Sequence, residues 1–193
     1  MLATGIATVC AILILPFVSI YTGGVTDAQY YQPLFAILMI AGSYAYSIRH
    51  PFGCVVSAAG HYKETKIGAI VEVAINLVLS LVLVKPLGLV GVALGTFVAM
   101  SFRTIYTVWY LSKHILLRPI WRFLLKQVCN LLVSGILVAQ IPVWFDITAS
   151  DIPGLFVSAV KVSAIVFPVF LVVNALLSIR IIKEEIQRKN IHV

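Results

Sequence analysis

The sequence predicts an all-α integral membrane protein with about six transmembrane helices. Hydrophobic residues make up 61% of its 193 residues and charged residues only 11%, whereas about 25% of a soluble domain is charged. Apolar runs of roughly 20 residues, the length that crosses a bilayer as a helix, follow one another along nearly the whole chain. These runs are continuous, whereas the strands of a membrane β-barrel would alternate apolar and polar residues.

Six apolar blocks, separated by polar segments and helix breakers, define the predicted spans. They cover residues 2–20, 33–59, 67–84, 87–111, 127–145 and 155–179, and a basic tail follows at 180–193. No Lys or Arg precedes the first span, so a signal peptide is not expected. Because that span begins at once, we expect the chain to be a fragment or one half of a longer protein.

Basic residues flank the spans mainly on one side of the predicted membrane. Ten lie on that side, and Lys85 lies alone on the other. The ten are Lys63, Lys66, Lys113, Arg118, Arg122, Lys126, Arg180, Lys183, Arg188 and Lys189. The positive-inside rule then places both termini in the cytoplasm. The net charge of +7 follows from this topology, and we do not expect a nucleic-acid partner.

Several polar residues lie inside the predicted spans, where a charge at the bilayer centre costs about 3 kcal/mol. Gly68, Glu72, Asn76 and Ser80 recur every four residues and so share one helical face. Glu72 and Arg103 are expected at similar depths, so they could form an ion pair. We interpret Glu72, Asn76, Ser80 and Arg103 as a network that fixes helix packing.

Arg49 is predicted to lie close to mid-membrane, next to His50 and Pro51, with no acid expected at its depth. Pro51 should kink the span and open a pocket beside it. A guanidinium offers a planar set of donors to phosphate oxygens, so Arg49 and His50 are candidates for binding a phosphate group of a substrate. The alternatives for Arg49 are snorkelling to the interface or pairing with an acid in a part of the protein absent from this chain.

Two further patterns indicate packing and membrane contact. Gly88, Gly91 and Gly95 would let a neighbouring helix approach the fourth span closely. The basic residues that follow this span at four-residue spacing, beside two aromatic residues, predict an interfacial helix on an anionic leaflet. They are His114, Arg118, Arg122 and Lys126, and the aromatic residues are Trp121 and Phe123.

Motifs of enzymes are absent from the sequence. There is no P-loop, HExxH or GxSxG motif and no metal-ligand spacing, and the three cysteines lie in apolar spans without a CxxC pair. We therefore expect no enzymatic activity, no cofactor, no metal and no hydrolysis of ATP. Transport, if it occurs, would be facilitated, ion-coupled or driven by the membrane potential.

Four runs of residues together carry a resemblance to a known family. They are Tyr21 to Asp27 with Tyr30, Tyr31 and Pro33; Ala58 to Lys66; Glu72, Asn76, Leu77 and Ser80; and Gly88 to Thr96. In this order they resemble the C-terminal domain of Wzx-type polysaccharide flippases, of the multidrug/oligosaccharidyl-lipid/polysaccharide exporter superfamily. The resemblance covers about residues 1–118.

The resemblance implies one lobe of a two-lobe transporter in the bacterial cytoplasmic membrane. Such proteins move lipid-linked anionic oligosaccharides across the membrane by alternating access, and the resemblance implies that cationic residues of the cavity contact the pyrophosphate or acidic sugars. The resemblance is to the C-terminal lobe alone, so the expected partner is the N-terminal lobe of such a transporter or a second copy. The alternatives are a multidrug or lipid II exporter of the same superfamily and a non-transporting membrane remnant.

Overall fold

The computed structural model of the chain is all-α, and it describes residues 1–23, 31–116, 121–144 and 151–191. Within these residues there is no strand. The helices are α1 (Leu2–Tyr21), α2 (Pro33–Ala58), α3 (Tyr62–Leu87), α4 (Leu89–Leu111), α5 (Trp121–Trp144) and α6 (Ile152–Ile191). A π-helical turn, Ser112–Leu116, directly follows α4. The predicted fold class is therefore confirmed.

Five helical segments of the described chain are long and apolar enough to cross a membrane, which makes this a multi-pass membrane protein. They are Leu2–Tyr21, Tyr62–Leu87, Leu89–Ile115, Phe123–Trp144 and Ile152–Ile179. Helix α2 has 26 residues, which is enough to span a bilayer. It is not among the five because hydrophilic residues, including Arg49 and His50, interrupt its apolar sequence.

Several helices extend beyond the predicted spans. Helix α3 begins at Tyr62 rather than at residue 67, α5 begins at Trp121 rather than at 127, and α6 continues to Ile191 through most of the predicted tail. Lys, Glu and Arg favour helix, so the charged residues at these ends prolong the helices. Residues 24–30 between the first two predicted spans, residues 117–120 of the predicted interfacial segment and the last two residues of the tail lie outside the described residues.

The chain divides into two compact units, and one of them comprises Leu13–Trp121. In this unit α4 packs against both α2 and α3. Small residues make the close approach possible, since Gly91, Ala93, Gly95 and Ala99 are all buried. A Cβ atom added to Gly91 would collide with the backbone carbonyl of Leu83 in α3.

Gly88 has a different role from Gly91 and Gly95, with which the sequence analysis grouped it. Its φ angle is +58°, and a Cβ atom added to it would meet nothing within 4 Å. Gly88 therefore does not pack against a neighbouring helix. It forms the turn between α3 and α4, where its N–H group donates to the carbonyl of Val84, because a positive φ is accessible to glycine at little cost.

The polar row predicted in α3 faces α4. Asn76 Oδ1 lies 3.1 Å from Ser80 Oγ and 3.3 Å from Thr96 Oγ1 of α4, and a Cβ atom added to Gly95 would lie 2.8 Å from Ser80 Oγ. The opposite face of α3 is apolar and exposed, with Ile70 59% and Leu81 62% exposed. Helix α3 thus turns its polar residues toward protein and its apolar residues outward, as expected for a helix in lipid.

The other unit comprises Met1–Ile12 and Arg122–Val193. Its core includes Ile12 of α1, Ile141 of α5 and Phe170 of α6. Hydrogen-bonded polar contacts join the described helices of this unit. These contacts, here called the polar seam, are Thr8 with Ser134 at 2.7 Å, Asn130 with Asn174 at 3.0 and 3.4 Å, and Lys126 with Ser178 at 3.3 Å.

Candidate functional site

Helix α2 carries a stripe of exposed polar side chains, here called the α2 stripe: Ser43, Ser47, His50 and Cys54. Their spacing of four, three and four residues places them on one face of the helix. Tyr46, which is 46% exposed, lies beside this face. The Ser47 hydroxyl donates to the Ser43 carbonyl within the helix at 2.8 Å. The exposed imidazole of His50 is costly in lipid, so in a membrane this face must meet water or polar protein.

Three charged side chains meet at the border of the α2 stripe. Arg49 Nη1 of α2 donates a hydrogen bond to Glu72 Oε1 of α3 at 2.8 Å. Arg103 Nε of α4 lies 3.7 Å from Glu72 Oε2. The three side chains are only 15–21% exposed. This group, here called the charge cluster, combines two guanidinium groups with one carboxylate, so its formal charge is +1.

All three residues of the charge cluster lie at a similar depth. Arg49 is nine residues before the end of α2, Glu72 is ten after the start of α3, and Arg103 is eight before the end of α4. At 1.5 Å per residue these are about 12–15 Å along each helix. The expectation that no acid shares the depth of Arg49 is therefore wrong. It arose because the third span was assumed to start at residue 67, which placed Glu72 too close to the surface.

The two arginines are held differently. Besides its contact with Glu72, Arg103 donates from Nη1 to the carbonyl of Thr65 at 2.7 Å, and its guanidinium lies 5.9 Å from the Tyr106 ring centre. Gly68 leaves room for this arrangement, because a Cβ atom there would collide with Arg103 Nη1. These contacts fix Arg103 between α3 and α4.

Arg49 has fewer anchoring contacts and borders the exposed face. Its guanidinium lies 5.0 Å from the centre of the Tyr46 ring, a distance typical of cation–π contact. Its ion pair with Glu72 is the shorter of the two in the charge cluster. Arg49 thus lies between an acid on the protein side and an exposed aromatic ring on the α2 stripe, so it is the arginine better placed to meet a ligand.

His50 lies on the α2 stripe and is not part of the charge cluster. Its ring centre is 6.3 Å from that of Tyr46, and its Nδ1 atom is 3.8 Å from Cys54 Sγ. Pro51 follows it inside the helix. Since proline has no N–H group, it cannot donate to the carbonyl of Ser47 four residues earlier, which adds a polar backbone group to the same face.

The four residues predicted to form one packing network belong to two separate groups in the structure. Glu72 and Arg103 belong to the cluster, at the contact distance given above. Asn76 and Ser80 bond to each other along α3 and do not contact the arginines through any hydrogen bond found in the described residues. Tyr46 and the α2 stripe were not predicted, although the helical spacing of Ser43, Ser47, His50 and Cys54 indicates that they share one face.

The described residues contain no group of three or more His, Cys, Asp or Glu side chains that could hold a metal ion. Their buried side-chain nitrogen and oxygen atoms all have hydrogen-bond partners. The buried polar groups of these residues are therefore satisfied within the protein, whereas the α2 stripe and single residues such as Lys161 of α6 are exposed. Comparison with protein-family models, with curated proteins and with solved structures found no match.

Proposed function

We propose that this chain is one lobe of a membrane transporter, in which the α2 stripe lines an aqueous path and Arg49 binds the phosphate of an anionic, lipid-linked oligosaccharide. The observation that carries the proposal is the exposed polar face of α2, beside a charge cluster of formal charge +1. A packing role alone would require polar groups that face protein, as the row in α3 does.

The charge cluster suits an anion because it holds one more cation than anion. When a phosphate approaches along the α2 stripe, Arg49 can exchange its bond with Glu72 for charge-assisted bonds to the phosphate oxygens. Arg103 Nε, 3.7 Å from Glu72, then neutralises the acid. In this scheme Glu72 never remains as an uncompensated charge, which explains why two arginines share one carboxylate.

The resemblance to Wzx-type flippases supports the assignment of a substrate, a membrane and a partner. It adds the lipid-linked oligosaccharide as substrate, the bacterial cytoplasmic membrane with both termini inside, and a second lobe or second copy that closes the path. Transport proceeds by alternating access and does not involve catalysis. Lipid II carries the same pyrophosphate group, so export of lipid II is the second candidate function for the same residues.

Thiol accessibility tests the aqueous path directly. Ser47→Cys places a thiol on the α2 stripe, and Val73→Cys places one on an exposed apolar position of α3. Both positions are eleven residues from the turn that joins the two helices, and the three native cysteines are replaced by serine in both proteins. Because only the hydrated thiolate reacts rapidly, a membrane-impermeant maleimide should label Ser47→Cys at least tenfold faster than Val73→Cys in vesicles. Equal rates would show that α2 faces lipid and would overturn the proposal.

Binding and flipping test the substrate. Full-length chain in vesicles is given undecaprenyl-pyrophosphate-linked glycan or lipid II, and both binding and transbilayer movement are measured. Arg49→Ala should weaken binding by at least tenfold, since a hydrogen bond to a charged group contributes about 1.5–3 kcal/mol. Lys161→Ala, a change of an exposed lysine in α6, is the control. Binding that is as tight in Arg49→Ala as in the unaltered chain, or no binding of either lipid by the unaltered chain, would overturn the assignment of Arg49 as the phosphate ligand.

A further inference from the structure

A second cluster of aromatic and basic side chains lies where α4 ends. The ring of Tyr106, 5.9 Å from the Arg103 guanidinium and 6.4 Å from the ring of Tyr110, lies between this cluster and the charge cluster. His61, in the turn before α3, lies 2.7 Å through Nδ1 from the hydroxyl of Tyr110. The ring of His114 stacks on that of Tyr110 with centres 4.6 Å apart. The ammonium of Lys113 lies 5.1 Å from the centre of the Trp109 ring. We call the second cluster the collar: His61, Trp109, Tyr110, Lys113 and His114.

The collar is built on an irregular piece of helix. Lys113 and His114 belong to the π-helical turn that follows α4, a local geometry that often occurs at functional sites. Both side chains are exposed, and Trp109 is 43% exposed. Tyr110, by contrast, is buried and joins the end of α4 to the turn between α2 and α3. A rigid base thus presents an aromatic ring and two basic groups outward.

More positive charge lies at the same end of the unit. Lys63 and Lys66 are exposed on the first turns of α3, directly after His61. The N-terminus of α3 has no side-chain hydrogen-bonded cap, so its N–H groups add partial positive charge. Glu64 is the one acid among the first ten residues of this helix. Charge complementarity therefore favours an anionic occupant.

We propose that the collar is a binding site for the headgroup of an anionic phospholipid. Lys113 pairs with the phosphodiester, supported by His114, while Trp109 lies at the boundary between the headgroup and the acyl chains. Amphipathic aromatic rings favour that depth, and basic residues near a leaflet surface attract anionic lipid. The proposal does not depend on transport, because it concerns a lipid of the bilayer and not a cargo.

A purely structural role for the same residues makes a different prediction. Basic side chains in the last turn of a helix interact favourably with its dipole, so Lys113 and His114 could stabilise α4 in any lipid. That effect would be the same in neutral and anionic bilayers. A headgroup site would instead give a difference between the two.

The experiment measures retention of phosphatidylglycerol against phosphatidylcholine by native mass spectrometry of the full-length chain released from mixed nanodiscs. Thermal unfolding is measured in nanodiscs of each lipid alone. Lys113→Gln removes the proposed contact. Lys85→Gln, at the other end of α3, is the matched control because it removes the same charge outside the collar.

The unaltered chain and Lys85→Gln should retain phosphatidylglycerol preferentially. Lys113→Gln should lower that preference about fivefold, the effect of one basic residue at a leaflet surface, and should lower the unfolding temperature only in phosphatidylglycerol. The proposal would be overturned if both variants lost the preference for phosphatidylglycerol equally, or if the unaltered chain showed no such preference. Displacement of the retained lipid by a pyrophosphate-linked glycan would also overturn it, since the collar would then belong to a cargo site.

Discussion

Removing the carboxylate of Glu72 should destabilise the protein more than removing either arginine. Glu72→Leu leaves two guanidinium groups facing each other, each on a side chain only 15–16% exposed. Arg103 keeps its bond to the Thr65 carbonyl, but Arg49 loses its closest polar partner at 2.8 Å.

The size of the effect follows from the burial of the cluster. Breaking a buried ion pair by deleting one partner costs about 3–5 kcal/mol, because the remaining charge is uncompensated. Arg49 borders the exposed α2 stripe and can turn partly toward water, so we expect a loss near the lower limit, about 3 kcal/mol. Arg49→Met in the Glu72→Leu background removes the stranded charge and should restore about 1–2 kcal/mol. Arg49→Met alone should cost less than Glu72→Leu, since Arg103 still neutralises Glu72.

The free energy of unfolding is measured for the full-length chain in detergent micelles by denaturant titration followed by far-UV circular dichroism. The two single variants and the double variant form a cycle that isolates the coupling between positions 49 and 72. A double variant as unstable as Glu72→Leu would refute the idea that Arg49 is the stranded charge. A loss below about 0.5 kcal/mol for Glu72→Leu would show that the cluster is fully solvated.

Two more predictions concern packing, and the same unfolding measurement checks both. Gly68→Ala should cost about 1–3 kcal/mol, because the added Cβ atom would displace Arg103. Gly53→Ala, where a Cβ atom meets nothing within 4 Å, is the control and should be neutral or stabilising. Asn174→Ala should cost about 1–2 kcal/mol, since it leaves the amide of Asn130 without its reciprocal partner. Asn130 is only 2% exposed, so water cannot replace that partner. Changing both Asn130 and Asn174 to Leu should cost less than Asn174→Ala alone.

The fold class could be predicted because the membrane-spanning helices of such a protein are recognisable from the apolar composition and the length of each block. The ends of the helices could not be predicted in the same way. Hydropathy reports the part of a helix that lies in the bilayer, whereas residues such as Lys63 and Lys66 continue α3 into water. That difference of five residues at the start of α3 is what hid the shared depth of Arg49 and Glu72.

The candidate site was predictable in part, by helical spacing within one segment. Four-residue spacing identified the face of α3 that meets α4, and the same arithmetic would have identified the α2 stripe. It could not show which helix lies opposite, because contacts between helices depend on packing that sequence spacing does not encode. The bond from Arg103 to the Thr65 carbonyl is of this kind, since a backbone acceptor leaves no signature in the sequence.

The two units show why polar residues in a membrane helix cannot all be given the same role. In the polar seam, Asn130 and Asn174 bond each other reciprocally and are buried or half-buried, so they have no need of an outside partner. On the exposed α2 stripe the Ser47 hydroxyl donates to the Ser43 carbonyl within the helix, but the exposed ring of His50 must in a bilayer meet water, cargo or another protein surface. Polar groups that bond each other within the protein contribute to its stability, whereas a polar group exposed in the membrane needs a partner from outside the chain. By this criterion the α2 stripe, with Arg49 at its border, is where transport should be sought.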